Sequence, residues 1–209
     1  MAPTGPTSIT LRTGDGVGLD GDLALPPGPA RAAAVLCHPH PAYGGDRHNA
    51  VVDALFRALP PAGVAALRFD FRAAGTGAER LDVVAALDAL AGAVPSGTPL
   101  WLAGYSFGAD VSLSVDDPRA AGWVAVAPPL KFGDPPVPGT GDRRPVLLVV
   151  AEHDQYSGPR RAADATAGWP DVSITVVPTA DHFLAGATAT VATLVRDWIV
   201  GRGRQDVSG

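Results

Sequence analysis

Short apolar segments alternate with longer alanine-rich segments along most of this 209-residue chain. The apolar segments are predicted to be strands: Ala32 to Cys37, Val64 to Phe69, Leu100 to Gly104, Gly122 to Ala127, Val146 to Ala151 and Ser173 to Val177. The segments between and after them are compatible with helices: Asn49 to Leu59, Arg80 to Ala91, Phe107 to Ser114, Pro159 to Ala167 and Leu184 to Val200. Short strands that are apolar on both sides are typical of a parallel sheet covered by helices on both faces. We therefore expect an α/β fold, a three-layer α/β/α sandwich around a mostly parallel, twisted sheet.

An antiparallel hairpin is predicted ahead of this alternation. Ser8 to Arg12 and Val17 to Ala24 are its two strands, joined by the turn Thr13-Gly-Asp-Gly16, and they bring the sheet to about eight strands. The length suits one domain, residues 1–209, with its core at about residues 8–200. The polar tail Gly201 to Gly209 is expected to be flexible.

The charge balance argues against two classes of partner. A formal net charge of −5 provides no electrostatic attraction to nucleic acid or to anionic membranes.

No segment has the pattern of a signal peptide or the apolar length of a membrane span, so the expected location is the cytoplasm. The single cysteine, Cys37, excludes an internal disulfide and is expected to be an inert core thiol.

Ser106 stands between two glycines at the end of an apolar strand, in the sequence Gly104-Tyr-Ser-Phe-Gly108. A serine at a sharp strand-to-helix turn is held in a strained conformation, and the flanking glycines let strand and helix pass closely. Its hydroxyl then projects beside the free N–H groups of a helix N-terminus, which stabilise negative charge. This setting predicts a nucleophile. The alternative is a glycine-rich structural turn with an idle serine.

A serine nucleophile needs a base that takes its proton and an acid that orients the base. Asp154 lies just beyond one predicted strand, and His182 lies just beyond the last one. For a nucleophile on such a turn, the partners follow in the order serine, acid, histidine. We therefore predict a catalytic triad of Ser106, Asp154 and His182, with Glu152 and Asp181 as rival acids. The alternative for His182 is an ordinary histidine of a surface loop.

Such a serine also requires N–H donors for the oxyanion that forms during the reaction. One predicted donor is the backbone N–H of Phe107, and the other lies in the loop after the third strand. In that loop Pro39 and Pro41 have no N–H, so the predicted donor is the backbone N–H of His40.

The pattern His38-Pro-His40 would also suit a metal pair, but no third ligand has a plausible spacing, so neither a metal nor another cofactor is expected. Both histidines can instead simply pack within the loop.

Residues 127–144 contain several prolines and glycines, so a helical lid is not expected there and the site should be shallow and open. The predicted pocket walls are apolar or aromatic: Tyr43, Tyr105, Pro129, Leu130, Tyr156 and Phe183. Each of these side chains can equally be a packing residue.

Asp70 and Arg72 are expected to hold their own loop through a charge-assisted hydrogen bond, with direct substrate contact as the alternative.

Taken together, these segments resemble the α/β-hydrolase superfamily, above all its small, nearly lidless bacterial members that are similar to dienelactone hydrolases and esterases. The resemblance spans about residues 30–200 and rests on four segments: His38-Pro-His-Pro41-Ala-Tyr-Gly44-Gly45-Asp-Arg-His-Asn49-Ala-Val51, Leu67-Arg-Phe-Asp-Phe-Arg72, Gly104-Tyr-Ser-Phe-Gly108-Ala and Ala180-Asp-His182-Phe183. The chain departs from the family pattern at Ala73-Ala74, where Gly-Val is expected, and at Asp110, where a larger residue is usual. Asp110 can therefore alter the pocket.

The resemblance implies a hydrolase without specifying its substrate. With the predicted triad, the leading hypothesis is a serine hydrolase that cleaves small soluble carboxylic esters through an acyl-enzyme, with a small molecule as its partner. The same side chains would serve a thioesterase, an amidase or an acyltransferase. Some relatives in this group have lost catalysis, which leaves a non-catalytic binding protein on a hydrolase scaffold as a further alternative. The oligomeric state and the natural substrate stay open.

Overall fold

The computed structural model describes residues 5–73, 75–130 and 143–202. Its strands within these ranges are β1 (Thr7–Arg12), β2 (Gly18–Ala24), β3 (Ala32–Cys37), β4 (Val64–Phe69), β5 (Leu100–Tyr105), β6 (Ala120–Val126), β7 (Val146–Ala151) and β8 (Val172–Val177). They form one eight-stranded sheet in the order β1-β2-β4-β3-β5-β6-β7-β8. The strand β2 is antiparallel to both of its neighbours, and all other neighbours in the sheet are parallel. The predicted mostly parallel sheet is confirmed.

Helices cover both faces of this sheet. Those in the described ranges are α1 (Ala50–Ala58), α2 (Glu79–Ala93), α3 (Phe107–Leu113), α4 (Pro159–Ala165) and α5 (Thr188–Arg202). Successive side chains of a strand point to opposite faces. In β3, Ala33 and Val35 pack in the apolar layer that includes α2, α3 and α4, whereas Ala34 and Leu36 pack in the layer that includes α1 and α5. This arrangement confirms the three-layer sandwich.

The last helix begins later than the sequence predicts. The predicted start is Leu184, whereas α5 begins at Thr188. Leu184 and Gly186 have φ angles of 55° and 75°, which a right-handed helix excludes. At the other end, α5 continues to Arg202. Gly201 and Arg202 are therefore helical, although the sequence predicts that they lie in the flexible tail.

Two predicted segments lie partly outside the described residues. They are the tail from residue 203 onward and residues 131–142, which form most of the connection predicted to lack a helical lid. Of the helices that are described, none combines the length and the apolar character needed to cross a bilayer.

The parallel strands bring several loops to one edge of the sheet. The carboxyl ends of β3 and β5 are neighbours, with Cys37 opposite Gly104, and Tyr105 at the end of β5 is opposite Val126. In sheets of this kind, ligands bind beyond the carboxyl ends of the strands. The predicted site residues after β3, β5, β7 and β8 therefore lie at this edge.

Candidate active site

Ser106 lies at the sharp turn between β5 and α3. Its backbone has φ 53° and ψ −119°, a strained conformation for a residue with a side chain. A Cβ on Gly104 would lie 2.2 Å from the carbonyl oxygen of Gly108, and a Cβ on Gly108 would lie 2.4 Å from the carbonyl oxygen of Cys37. Both positions therefore require glycine, for the close passage that the sequence predicts.

The imidazole of His182 bridges the serine and an aspartate. Ser106 Oγ lies 2.9 Å from His182 Nε2, and His182 Nδ1 lies 2.8 Å from Asp154 Oδ2. Because an ionised carboxylate can only accept, Nδ1 carries the proton and Nε2 accepts from the serine hydroxyl. The structure thus brings together the three residues of the predicted triad, which lie far apart in the chain.

Asp154 is held in its charged form. Its Oδ1 accepts hydrogen bonds from the N–H groups of Tyr156, at 2.8 Å, and Ser157, at 3.0 Å. Burial acts to raise the pKa of Asp154, but the hydrogen bonds from His182, Ser157 and Tyr156 outweigh it and hold that pKa below its usual value. The carboxylate therefore stays ionised and fixes the orientation of the imidazole.

The two rival acids have other partners. Glu152 Oε2 accepts a hydrogen bond from the N–H of Thr179 at 2.7 Å, which ties the end of β7 to the loop after β8. Asp181 Oδ1 accepts from the N–H of Phe183 at 3.0 Å, within its own loop. Among the described residues, Asp154 is the acid that bonds the ring of His182.

The loop after β3 brings His40 to the cavity that also contains Ser106 and Phe107. The centroids of the His40 and Phe107 rings are 4.7 Å apart. Across the described ranges, no hydrogen bond uses the backbone N–H of His40 or that of Phe107. The two residues that carry the predicted oxyanion donors therefore line the same cavity, one from the loop and one from the turn.

This cavity has a volume of about 780 Å³. The predicted wall residues that line it are Tyr43, Tyr105, Pro129, Tyr156 and Phe183. Leu130 does not line it. The side chain of Leu130 packs against the sheet core, and its backbone, at φ 51°, donates a 3.1 Å hydrogen bond to Asp110 Oδ1. Asp110 itself lines the cavity, so the residue that departs from the family pattern also helps to fix this stretch of chain.

A further wall of the cavity, absent from the sequence predictions, is formed by Asn49, Gly75, Gly77 and Glu79. Glu79 Oε1 accepts hydrogen bonds from the N–H groups of Gly75, at 2.6 Å, and Thr76, at 3.1 Å. Burial acts to raise the pKa of Glu79, but backbone N–H groups outweigh it and hold that pKa below its usual value. The signal in the sequence is an acid in the first turn of a helix directly after a glycine-rich loop.

Asp70 and Arg72 hold their loop as expected, but each does so with a different partner. Asp70 accepts a 2.8 Å hydrogen bond from the backbone N–H of Arg47 and also pairs with the Arg47 guanidinium. Arg72 donates to the carboxylates of Asp82 and Asp15. The loop after β4 is therefore tied to three other segments rather than to itself.

The two histidines of the loop after β3 have different surroundings. The His38 ring packs edge-on against Phe71, whereas the His40 ring packs against Phe107. No group of three or more His, Cys, Asp and Glu side chains in the described part of the chain is placed to hold a metal ion.

Burial raises the pKa of the Cys37 thiol far above its usual range, in agreement with an inert core thiol.

Several solved structures that are similar to this chain are α/β serine hydrolases or their homologues. No protein-family model matches the chain. The chain is 26% identical over 204 residues to an uncharacterised protein of Rickettsia prowazekii. The aligned region covers 87% of this chain and 84% of that protein. An α/β serine hydrolase homologue from Coxiella burnetii superposes with a TM-score of 0.80 at 28% identity, over 92% of this chain and 97% of that one.

A second solved structure, an α/β serine hydrolase without a lid from Xanthomonas campestris, gives a TM-score of 0.76 at 28% identity, over 95% of this chain and 97% of that one. An esterase domain from Rhodothermus marinus and an esterase from Pyrococcus furiosus, both below 25% identity, share the fold. The resemblance to the α/β-hydrolases is confirmed, and these neighbours support a hydrolase-type function.

Proposed function

We propose that the protein is a serine hydrolase that cleaves small soluble carboxylic esters. The observation that carries this proposal is the hydrogen-bonded series Ser106–His182–Asp154, with 2.9 Å and 2.8 Å between the bonded atoms. A serine hydroxyl is a weak nucleophile until an oriented base accepts its proton. The strained backbone of Ser106 adds support, because strain of this kind is concentrated at functional sites.

Acylation follows from this geometry. Ser106 Oγ attacks the carbonyl carbon of the ester while His182 Nε2 takes the hydroxyl proton, and Asp154 stabilises the imidazolium that forms. The carbonyl oxygen becomes an oxyanion, for which the proposed donors are the N–H groups of Phe107 and His40. When the tetrahedral intermediate collapses, the bond to the leaving oxygen breaks, and the proton on Nε2 moves to that alkoxide.

Deacylation repeats the sequence with water. His182 Nε2 takes a proton from a water molecule, whose oxygen attacks the acyl carbon bound to Ser106. The second tetrahedral intermediate collapses to the carboxylic acid, and the proton on Nε2 returns to the Ser106 oxygen. The enzyme is then restored to its starting state.

The cavity favours esters with short acyl chains. Tyr43 and Phe183 are 88% and 62% exposed, so in the part of the chain that the structure describes they form an open rim rather than a closed apolar tunnel. Short chains can contact these rings, whereas long chains would extend into water and gain little further apolar burial. A series of p-nitrophenyl esters from acetate to palmitate should give the highest kcat/KM for the short acyl groups.

Hydrolysis of p-nitrophenyl acetate tests the proposal. The wild-type protein should hydrolyse it with saturation kinetics, and Ser106→Ala should lower kcat by at least about 10³-fold. Ser112→Ala is the matched control, because that hydroxyl lies in α3 and, among the described residues, donates its hydrogen bond to the Ala109 carbonyl rather than to a residue of the site. A folded wild-type protein without activity above the uncatalysed rate, or an unaffected Ser106→Ala variant, would overturn the proposal.

A further inference from the structure

His38 is a buried histidine whose two ring nitrogens both have partners. It is 1% exposed, and its Nε2 lies 2.9 Å from the backbone nitrogen of Phe71 while its Nδ1 lies 2.6 Å from the carbonyl oxygen of Pro39. The N–H of Phe71 can only donate, and the carbonyl of Pro39 can only accept. The ring is therefore neutral, with its proton on Nδ1.

The carbonyl held by His38 belongs to the peptide group whose N–H is that of His40. A trans peptide is planar, and its C=O and N–H point in opposite directions. A bond that fixes the Pro39 oxygen therefore also fixes the direction of the His40 N–H. That N–H is the proposed second donor for the oxyanion.

Two further contacts restrict this loop, one at the Pro39–His40 peptide itself and one at the preceding peptide. A Cβ on Gly45 would lie 2.0 Å from the Pro39 oxygen, so the chain at Gly45 packs directly on this carbonyl. A Cβ on Gly108 would lie 2.5 Å from the carbonyl oxygen of His38, so α3 packs directly on the start of the loop. The loop is thus positioned against the turn that carries Ser106.

We infer that His38 is a positioning residue that keeps the Pro39–His40 peptide oriented with its N–H available to the oxyanion. The inference rests on the proposed function. Without the Nδ1–H donor, the Pro39 carbonyl loses its partner and the peptide can rotate, which replaces the N–H with a repelling carbonyl oxygen. The Phe107 N–H is unaffected by such a rotation, because it belongs to the first turn of α3.

The surroundings of His38 favour the neutral ring. Burial lowers the pKa of His38, and Arg47 acts in the same direction, whereas the Pro39 carbonyl and the carboxylates of Asp70 and Asp46 oppose them without reversing the shift. A protonated ring would place a second N–H against the N–H of Phe71. The neutral form is the one that makes both observed contacts.

Two substitutions separate the two ring nitrogens. The amide of asparagine can place a donor near the position of Nδ1, and the amide of glutamine can place an acceptor near the position of Nε2. We expect His38→Gln to lower kcat for p-nitrophenyl acetate by about 100-fold with KM within about twofold, as for loss of one oxyanion donor. His38→Asn should stay within about tenfold of wild type, and inhibition by methylboronic acid should weaken in parallel with kcat.

The inference is overturned if His38→Asn loses as much kcat as His38→Gln, or if the loss of kcat in both variants follows only their loss of thermal stability. It is also overturned if KM rises while kcat is unchanged. Should neither variant fold, the ¹⁵N spectrum of the wild-type imidazoles decides, because a neutral His38 with its proton on Nε2 contradicts the inference. An inactive wild-type protein with His38 protonated on Nδ1 would instead count against the proposed function and leave the peptide contact standing.

Discussion

The phenol hydroxyl of Tyr105 donates a 3.0 Å hydrogen bond to the backbone carbonyl of His182. Tyr105 is the last residue of β5 and directly precedes Ser106, so one side chain connects the turn of the serine with the loop of the imidazole. Burial raises the pKa of Tyr105 to about 12, with smaller contributions from the carboxylates of Asp154 and Asp181. The hydroxyl therefore remains a donor throughout the neutral pH range.

Replacing Tyr105 with Phe should loosen His182 without changing the chemistry of either residue. One buried hydrogen bond contributes about 1 kcal/mol, so we expect kcat to fall by about three- to tenfold while KM changes little. Steady-state kinetics with p-nitrophenyl acetate give both constants. A variant with wild-type kcat would show that this bond does not position the imidazole.

Replacing Asp154 with Asn should remove the acid that orients His182. We expect kcat to fall by about 10⁴-fold, because the amide favours the wrong tautomer of the imidazole. Glu152→Gln is the comparison, since the contacts of Glu152 among the described residues are with the N–H of Thr179 and the ring of His153 rather than with His182, and this variant should retain activity within a few-fold. A larger loss of kcat in Glu152→Gln than in Asp154→Asn would show that Glu152, and not Asp154, is the acid that orients His182.

The charged state of Asp154 should also contribute to acid sensitivity. Its pKa is lowered in the folded protein, so its stabilising contribution is complete above the unfolded value of 3.8 and is lost as the pH falls through the folded value. The free energy of unfolding of wild type relative to Asp154→Asn should therefore decrease between pH 5 and pH 3. Urea unfolding at each pH measures this difference, and a constant difference would contradict the assignment.

Replacing Gly108 with Ala should destabilise the fold as well as the site. The added Cβ would lie 2.4 Å from the backbone oxygen of Cys37, which cannot turn aside as the tip of a side chain could, so we expect a loss of about 3 kcal/mol in the free energy of unfolding or a failure to fold. Gly92→Ala in α2 is the control, since beyond its neighbours and its own helix backbone no described atom lies within 4 Å of its Cβ position, and it should be neutral or stabilising by up to about 1 kcal/mol. Thermal unfolding distinguishes the two, and equal stability would contradict the close passage of strand and helix.

The cavity should discriminate against anionic acyl groups. Glu79 and Asp110 line it, whereas no Lys or Arg is among its described lining residues. We expect p-nitrophenyl butyrate to have a kcat/KM at least tenfold above that of mono-p-nitrophenyl succinate, which has a similar length and carries a carboxylate. Glu79→Gln and added salt should both reduce the ratio of kcat/KM between the butyrate and the succinate ester. A preference for the succinate would require a cationic group at the site.

The sheet and its layers are predictable from the sequence because strands buried on both faces must be short and apolar. The boundaries of β3 and β4 follow directly from that rule. The start of α5 does not, since Leu184 fits an apolar helical pattern and only the local backbone, with its positive φ, excludes it from the helix.

The approach of Ser106, Asp154 and His182 follows from their places just beyond parallel strands. The Glu79 wall and the partner of Asp70 could not be predicted in this way. Arg47 and Asp70 are 23 positions apart, and no local pattern specifies which surface charges will meet once the loops are folded. Long-range ion pairs depend on the finished geometry rather than on spacing.

The most direct test is covalent labelling with a fluorophosphonate, followed by mass spectrometry of the intact protein and its peptides. We predict one adduct per chain on the peptide that contains Ser106, no adduct in Ser106→Ala, and labelling slowed at least about 10³-fold in His182→Ala. A folded wild-type protein that stays unlabelled, or that carries the adduct at another residue, would contradict the assignment of Ser106 as an activated nucleophile.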